Sequence, residues 1–408
     1  MLQRIKLGRK KLDNYKNIIP DELYREIKAL AKPLKGKKVL NINATSYGGG
    51  VAEILYSLVP LMRDVGLDAG WDVIYGADCF FEITKGLHNA MQGEQFEISE
   101  RVQKEFNRFN AYNAHLLEGE WDFIVIHDPQ PIAIPHYIPR GKEKRIWRCH
   151  PDASTPNKNF WGFLDEFLRE YDAAVFSMKE YVPKNFPVRK KFIIEPAIDC
   201  LTPKNRPMSM KMAQATVESF GIDSKKPIIT QISRFDVWKD PVGVYKAFQI
   251  VQKKIPDAQL VLVGSMAHDD PEGWKIYSKL EKLTRTDPNV ALITNSGDLE
   301  VNAFQRAADV VVQKSLREGF GLVVTEAMIK NQPVVAGNVG GITKQIKDGV
   351  NGFLVNNVEE CSERIIYLLE NPDEKKKMGE QAKKTACEKF LIPRLLRDEL
   401  KMFNELMK

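Results

Sequence analysis

The stretch that best indicates the fold is KVLNIN at residues 38–43, followed by ATSYGGG at 44–50 and VAEILYSLVPLM at 51–62. The first segment contains Val39, Leu40 and Ile42, and we interpret it as a buried strand. The three glycines that follow permit a tight turn from such a strand into a helix. Apolar residues in the third segment recur at three- and four-residue spacing, as an amphipathic helix requires. The stretch therefore predicts a strand–glycine–helix unit.

The same alternation continues along the chain and predicts an α/β fold. Short apolar runs separated by longer amphipathic segments imply βαβ units and mostly parallel sheets. Further strands are predicted at 71–75, 122–127, 145–150, 173–177, 191–195, 227–233, 259–264, 290–294, 310–313 and 333–336. Further helices are predicted at 99–117, 160–171, 241–254, 299–308, 321–330, 359–369, 372–389 and 393–407.

The alternation lapses once, at 199–212, where two prolines lie among polar residues. We interpret this segment as an interdomain linker. The predicted architecture is two doubly wound, Rossmann-like domains, 1–205 and 206–385. The remaining 386–408 is predicted to be a C-terminal helix that packs back toward the N-terminal domain. Because ligands of open α/β sheets bind at the carboxyl ends of the strands, we expect the site in the cleft between the two halves.

Composition is ordinary for a globular protein that can bury sizeable cores. The chain has 408 residues, of which 43% are hydrophobic and 28% charged, with a formal net charge of +6. This charge suits an anionic ligand such as a nucleoside diphosphate, whereas nucleic-acid binders more often show a strong basic stripe with interleaved aromatic residues. No stretch reaches the ~20 apolar residues of a membrane span. We therefore expect neither a nucleic acid nor a membrane as partner. Separately, the abundance of Lys, Glu and Ile hints that the source organism is a thermophile.

Cysteine usage indicates a reducing compartment. The chain has five cysteines and no CxxC pair. An odd number of thiols without such a pair favours free cysteines in the cytoplasm over a disulfide framework or a zinc site. The charged segment 1–11 also lacks the apolar core of a signal peptide.

The glycine loop is the first candidate binding element. Gly49 and Gly50 directly follow a predicted strand and open a helix. Glycines in this position let the backbone approach an anion, and the helix dipole favours a phosphate. The loop lacks the lysine of a P-loop, and a simple tight turn explains three glycines equally well.

Two cations form the second candidate element, in the segment SRFDVWKD at 233–240. Arg234 and Lys239 follow the first strand of the second half and are expected at its carboxyl end. Two fixed cations there can neutralise a diphosphate leaving group as its charge develops. The alternative is that both are surface residues balanced by Asp236 and Asp240.

The strongest candidate is EGFGLVVTE at 318–326. Its glycines open a predicted helix, whose N–H groups can meet an anion or a sugar hydroxyl. A carboxylate accepts two hydrogen bonds from a vicinal diol, so Glu318 and Glu326 are candidates to hold a hexose and a ribose. Capping or solvated glutamates are the alternative. The later segment AGNVGGI at 336–342 repeats the strand–glycine–helix pattern and offers either a second ligand surface or a plain turn.

Several common chemistries have no motif in the chain. Asp-x-Asp, the usual metal–diphosphate pattern, does not occur, and neither do HExxH or GxSxG. A metal-independent, cation-assisted reaction is therefore the expected chemistry, with no cofactor beyond the substrate.

Taken together, these motifs resemble glycosyltransferase family 4, a retaining family with the GT-B fold. The similarity consists of Arg234, Lys239 and the Glu-x7-Glu pair in this order, with the glycine loop and AGNVGGI. It extends over nearly the whole chain. It implies a retaining hexosyltransferase that uses a nucleotide sugar.

The first half resembles one branch of that family, the trehalose glycosyltransferring synthases. The segments WDVIYG at 71–76, FFEITK at 80–85 and HPDASTP at 150–156 are similar to theirs. The resemblance implies transfer of glucose from a nucleoside diphosphate glucose, such as UDP-glucose or ADP-glucose, to free glucose, giving α,α-trehalose reversibly. The trehalose phosphorylases share the pattern and remain an alternative, with glucose 1-phosphate as product.

The resemblance also implies roles for individual residues. Arg234 and Lys239 are expected at the diphosphate, and Glu318 at the donor glucose. The remaining donor contacts are expected from Gly49, Gly50, His150, Phe320, Gly321, Leu322 and Glu326, with His150 near the C6 hydroxyl and Glu326 at the ribose. The acceptor-side candidates are Lys85, His88, Asn89 and Asp152, each of which has an alternative as an ordinary helix-surface or loop residue.

Two further interpretations belong to other classes of protein. A sugar-nucleotide epimerase shares the two-domain shape, and a non-catalytic sensor would bind the nucleotide sugar without turnover.

For the transferase we expect front-face transfer, in which the leaving phosphate deprotonates the acceptor. The two glutamates lie on one strand–helix segment rather than flanking a bond as the ~5 Å carboxyl pair of retaining glycosidases does. A homodimer is the candidate assembly.

Overall fold

A computed structural model describes residues 1–264 and 271–408. The chain folds as two compact units, Met1–Ala197 with Ile392–Lys408, and Ile198–Leu391. The predicted boundaries at 205/206 and 385/386 stay predictions. Residues 199–212, which were expected to be a linker, belong to the second unit, and its first helix begins within them at Met210.

The first unit contains a seven-stranded sheet in the order β1-β3-β2-β4-β5-β6-β7. All neighbouring strands are parallel except β1, which pairs antiparallel with β3. The strands are β1 Gln3–Arg4, β2 Lys38–Asn43, β3 Asp68–Val73, β4 Phe123–His127, β5 Lys144–Cys149, β6 Ala173–Phe176 and β7 Lys190–Ile193. The helices are α1 Asp21–Ala31, α2 Gly50–Asp64, α3 Asp78–Met91, α4 Glu100–His115 and α5 Lys158–Leu168.

The second unit contains a six-stranded parallel sheet in the order β10-β9-β8-β11-β12-β13. The strands are β8 Ile228–Ile232, β9 Gln259–Gly264, β10 Val290–Thr294, β11 Val310–Gln313, β12 Val334–Gly337 and β13 Gly352–Val355. The helices are α6 Met210–Glu218, α7 Pro241–Lys254, α8 Pro271–Thr284, α9 Asp298–Ala307, α10 Leu322–Met328, α11 Ile342–Gln345, α12 Val358–Glu370 and α13 Pro372–Lys389; α14 Ile392–Met407 belongs to the first unit. Short 3-10 helices lie at Leu12–Tyr15, Lys32–Leu34, Ile134–Tyr137, Lys179–Tyr181 and Val237–Lys239.

Each sheet has one topological switch point, a pair of neighbouring strands from which the chain order of the strands runs outward in both directions. In the first sheet the reversal lies between β2 and β4, and in the second between β8 and β11. Ligands of doubly wound sheets bind at the carboxyl edge at such a reversal, because the flanking loops diverge there. Each unit therefore has one place where a ligand site is expected, and these places follow β2 and β4 in the first unit and β8 and β11 in the second.

Each sheet has its own buried core. In the first unit, Trp147 of β5 is fully buried and stacks on Phe186, with their ring centroids 5.9 Å apart. In the second, Val312 and Phe248 are fully buried members of one apolar cluster. Among the described residues, no helix combines the length and apolar character needed to cross a membrane.

The C-terminal helix α14 packs against α1 and α2 of the first unit. A buried ion pair joins Arg148 of β5 to Glu399 of α14, and both side chains are 3% exposed. Arg394 adds two hydrogen bonds, to the carbonyl oxygens of Glu195 at 2.8 Å and Pro196 at 2.7 Å. Burial lowers the pKa of Arg148 to about 10. Glu399 therefore balances a charge that water does not reach.

Replacing Glu399 with Ala should destabilise the first unit strongly, because it removes the carboxylate that pairs directly with the buried Arg148 guanidinium. The expected loss is about 3 kcal/mol or more in the free energy of unfolding, measured by urea denaturation. The exposed Glu405 of the same helix is the matched control, and its replacement by Ala should change stability by less than about 0.5 kcal/mol. Equal effects of the two substitutions would contradict the importance of the pair.

Candidate functional site

The central feature of the second unit is an ion pair between Lys239 and Glu318. The Nζ of Lys239 lies 2.6 Å from Oε2 of Glu318, and Ser315 Oγ donates to the same oxygen at 3.1 Å. Lys239 follows β8, and Ser315 and Glu318 follow β11. The pair therefore sits at the carboxyl edge where the strand order reverses. The structure brings together two residues, 79 positions apart in the chain, that the sequence analysis selected separately.

The loop that bears Lys239 is held from several sides. Gln231 of β8 donates through Nε2 to the carbonyl oxygen of Lys239 at 2.7 Å. Asp236 caps the short 3-10 helix by accepting from the Lys239 N–H at 3.0 Å. Asp240 adopts a left-handed conformation, φ 46°, and pairs with the buried ammonium of Lys314. The Lys239 ammonium is thus fixed before any ligand arrives, which is the condition for electrostatic preorganisation.

Arg234 behaves differently from Lys239. Its side chain is 50% exposed and, within the part of the chain that the structure describes, pairs with Asp236 alone, at 3.3 Å. A half-exposed ion pair contributes little to stability. Arg234 is therefore accessible to an anionic ligand. Its pairing with Asp236 also agrees with the alternative stated above, that Arg234 is a surface residue balanced by this carboxylate.

The turn after Glu318 depends on Gly321 and on a buried amide. Gly321 has φ 83°, a conformation that L residues with side chains rarely adopt, and a Cβ there would lie 3.1 Å from Glu318 Cγ. Gln345 of α11 donates through Nε2 to the carbonyl oxygen of Phe320 at 2.5 Å and accepts from Thr325 Oγ1 at 2.5 Å. The N–H groups of Phe320, Gly321 and Leu322 precede the first hydrogen bond within α10.

AGNVGGI supports this turn from behind. A Cβ on Gly341 would come within 2.5 Å of the Gly319 carbonyl oxygen, so only glycine permits the observed approach of the two backbones. The Gly341 N–H also donates to the Glu318 carbonyl oxygen at 3.3 Å. The segment therefore shapes the Glu318 turn as well as making a turn of its own.

Glu326 has a different lysine partner from Glu318. Its side chain is 1% exposed, and Lys204 approaches its Oε1 at 3.2 Å. Its Oε2 is buried without a hydrogen-bond partner among the described residues. A buried carboxylate oxygen without a donor is costly, so it is suited to accept from a ligand hydroxyl. Sequence reasoning missed Lys204, since no local pattern links it to Glu326.

A second buried lysine lies one turn after Glu326. The Nζ of Lys330 donates to Asn205 Oδ1 at 2.9 Å, to Gln305 Oε1 at 2.5 Å and to the Glu326 carbonyl oxygen at 3.0 Å. Burial lowers the pKa of Lys330 to about 7, and nearby Glu326 opposes this shift. This network fastens residues 199–206 to α9 and α10.

In the first unit, the glycine loop is open. Gly48 has φ 78°, Gly49 caps α2, and a Cβ on either would meet no atom within 4 Å. Gly50 is the first residue of α2. The positive φ of Gly48 explains why a glycine is needed at that position. The open space around Gly49 leaves room for a ligand to approach the backbone.

His150 follows β5 and lies at the same edge of the first sheet. Its Nε2 is 3.0 Å from Nδ1 of His127, and its backbone N–H donates to Asp128 Oδ1 at 3.0 Å. Burial holds the pKa of His150 well below its usual value, with help from Arg148 and His127. Burial also raises the pKa of Asp128 to about 7, against the hydrogen bond from His150. Asp128 has φ 67° directly after a strand, and its buried carboxyl is a candidate that sequence reasoning missed.

The four acceptor-side candidates fall in two places. Lys85, His88 and Asn89 share α3 at three- and four-residue spacing and are all partly exposed. Nε2 of Gln92 lies 3.3 Å from Nδ1 of His88. Asp152 is 6% exposed and accepts from the Ser154 N–H at 2.9 Å, so its carboxylate supports a local turn. Among residues 1–264 and 271–408, no group of three or more His, Cys, Asp or Glu is arranged to hold a metal ion.

Comparison with known proteins identifies the family. The family described as "Trehalose synthase, N-terminal domain" matches residues 41–183, and "Glycosyl transferases group 1" matches 213–385. The trehalose synthase of Rubrobacter xylanophilus is 47% identical over 100% of this chain and 100% of its own length. The chain belongs to the trehalose synthase family of glycosyltransferases. It is therefore a hexosyltransferase related to trehalose metabolism, as the resemblance implied.

Other comparisons agree with this family. The trehalose synthase of Thermococcus litoralis is 46% identical over 97% of each chain. The solved α,α-trehalose-phosphate synthase (UDP-forming) from Burkholderia xenovorans, in complex with glucose-6-phosphate, has a TM-score of 0.72 at 15% identity, covering 91% of this chain and all of that one. At this identity the likeness concerns the fold alone, and it confirms the predicted GT-B fold for this trehalose synthase family member.

Replacing Gly321 with Ala should impair activity selectively. The substitution adds backbone strain and presses a methyl group on Glu318, so we expect kcat/KM for hexosyl transfer to fall tenfold or more. Gly221 also has a positive φ, 80°, but a Cβ there would meet no atom within 4 Å. Gly221→Ala adds backbone strain without a contact to the site and should therefore retain activity. The idea fails if both variants lose activity equally.

Proposed function

We propose that this chain transfers glucose, with retention of the anomeric configuration, from a nucleoside diphosphate glucose to free glucose. The products are α,α-trehalose and the nucleoside diphosphate, and the reaction is reversible. The observation on which this rests is the fixed Lys239–Glu318 pair, 2.6 Å apart at the strand reversal of the second unit. In a trehalose synthase family member, this pair offers a cation to a phosphate and a carboxylate to a sugar.

The donor is proposed to lie along the second unit. Lys239 and Arg234 bind the diphosphate, and Glu318 accepts from glucose hydroxyls, helped by the N–H groups of Phe320, Gly321 and Leu322. Glu326 accepts from the ribose through its unpartnered Oε2. The separate protein partners of the two glutamates, Lys239 and Lys204, support this division of labour.

The first unit is proposed to supply the remaining contacts. Gly49 and Gly50 approach the phosphates, where the open space around Gly49 admits a ligand. His150 binds the hexose near its C6 hydroxyl. Lys85, His88, Asn89 and Asp152 are the proposed acceptor-side residues.

The proposed mechanism is front-face transfer. The bond between the anomeric carbon and the leaving phosphate oxygen breaks. The acceptor hydroxyl oxygen bonds to that carbon from the same face, and its proton passes to the phosphate. Lys239 and Arg234 stabilise the negative charge that develops on the phosphate. Because these cations belong to the chain, we propose that no metal is required, and activity should survive EDTA.

The product assay decides between this reaction and its alternatives. Incubation with glucose and UDP-, ADP- or GDP-glucose should yield trehalose and the matching diphosphate, identified by mass spectrometry. A phosphorylase would instead form glucose 1-phosphate from trehalose and phosphate. An epimerase would convert the donor without glucose, and a sensor would bind it without turnover.

We propose that the reaction takes place in the cytoplasm, with a homodimer as the candidate assembly.

Lys239→Ala should lower kcat by roughly 100-fold or more, because its cation acts mainly on the charge of the transition state. The exposed Lys246 of α7 is the control, and Lys246→Ala should leave kcat unchanged. Steady-state kinetics with saturating donor gives the measurement. A change in KM alone would show that Lys239 binds the donor equally in the ground state.

Glu326→Gln should weaken donor binding about tenfold or more, because a charge-assisted hydrogen bond to the ribose is lost. Calorimetry with the nucleoside diphosphate gives the affinity. A 2′-deoxy and a 3′-deoxy nucleotide serve as matched ligands, and the substitution should cost less with the one that lacks the bonded hydroxyl. An equal cost with all three nucleotides would remove Glu326 from the ribose site.

A further inference from the structure

Three polar side chains form a line across the carboxyl half of the first sheet. Asn41 lies in β2, His127 ends β4, and His150 follows β5. Oδ1 of Asn41 is 3.0 Å from Nε2 of His127, and Nδ1 of His127 is 3.0 Å from Nε2 of His150. Asn41 and His127 are each 2% exposed, whereas His150 is partly exposed. Only the last member of the line can therefore meet a ligand.

The orientation of Asn41 sets the direction of the line. Its Nδ2 donates to the Gly70 carbonyl oxygen at 3.4 Å, so Oδ1 faces His127. The flipped amide would set two oxygens against each other at Gly70, so the Gly70 carbonyl favours the orientation with Oδ1 toward His127. An amide oxygen accepts only, and Nε2 of His127 must therefore carry the proton.

The protons of the two histidines follow from this. A neutral imidazole with a proton on Nε2 accepts at Nδ1, so His150 must donate to it from its own Nε2. Burial holds the pKa of both rings well below the usual value, and the nearby Arg148 guanidinium acts in the same direction. Both rings are thus neutral, and Nδ1 of His150 has a lone pair and no proton.

We propose that Asn41 and His127 are positioning residues that fix the tautomer of His150, so that His150 presents Nδ1 as a hydrogen-bond acceptor to a sugar hydroxyl. The inference rests on the proposed function in one respect, that His150 meets the donor hexose near its C6 hydroxyl. The hydroxyl then donates to His150. A site with this polarity discriminates against a sugar whose group at that position accepts but does not donate.

The backbone supports this assignment. The His150 N–H donates to Asp128 Oδ1, and Trp147 Nε1 donates to the Asp128 carbonyl oxygen at 3.0 Å. The rings of His127 and His150 are near parallel, with centroids 5.3 Å apart and an interplanar angle of 15°. His150 is therefore held at its backbone and at Nε2, and no hydrogen bond to Nδ1 is found among the described residues.

The tautomer is measured directly by ¹⁵N NMR of histidine-labelled protein without ligand, with the His150 signals assigned by His150→Asn. We expect a protonated Nε2 and an unprotonated Nδ1 for His150. His127→Leu removes the acceptor and should mix the tautomers. His127→Asn places an amide oxygen near the former Nδ1 and should restore the wild-type pattern. A proton on Nδ1 in the wild-type protein, or an unchanged pattern in His127→Leu, would overturn the proposal.

The kinetic consequence is tested with a donor that carries fluorine in place of the C6 hydroxyl. The wild-type protein should prefer the natural donor tenfold or more in kcat/KM. His127→Leu should lose most of this preference, and His127→Asn should keep it. His115→Asn, at an exposed position in α4, is the control and should leave the preference unchanged. An undiminished preference in His127→Leu would contradict the proposal.

The two measurements separate the possible failures. If the ¹⁵N spectra show the expected tautomer but no trehalose forms from any nucleotide glucose, the proposed function fails and the tautomer assignment stands. If trehalose forms but His150 has its proton on Nδ1, the function stands and the tautomer assignment fails.

Discussion

The candidate donor site depends on the pairing of β8 with β11, where Ile229 lies beside Val310 and Thr230 beside Val311. In a parallel sheet, adjacent strands end at the same edge, so the loops after these two strands emerge side by side. This register lets the ammonium of Lys239 reach the carboxylate of Glu318. The Leu316 N–H, which donates to the Trp238 carbonyl oxygen at 2.7 Å, joins the loops a second time.

The two units present different kinds of polar group at the carboxyl edges of their sheets. The second unit uses fixed charges: Glu318 is paired with Lys239, and Glu326 with Lys204. Each buried carboxylate has a cation, because an isolated buried charge is too costly to keep. The first unit instead aligns neutral groups at His127 and His150. Fixed charges suit a diphosphate, whereas a neutral acceptor suits a hydroxyl, so the contrast agrees with a donor that has both.

Much of the fold could be predicted from local pattern. The bounds of β2, β9, β10 and β11 agree with the sequence analysis, because each is an apolar run that ends at polar or glycine residues. The two-residue β1, the short β13 and the amphipathic α1 were not predicted. β1 has two residues, too few for periodicity to distinguish a strand from a loop.

For the site, the sequence by itself determined which residue types follow which strands, and hence Arg234, Lys239 and Glu318 as candidates. Only the tertiary structure decided the partners. The partners Lys204 and Glu326 lie 122 positions apart in the chain. Gln345 and Phe320 lie 25 positions apart, and His127 and His150 lie 23 apart. Local pattern encodes helices and strands through neighbours three or four residues apart. Which side chain meets which across a sheet depends on strand order and register, and these are set by the packing of the whole unit.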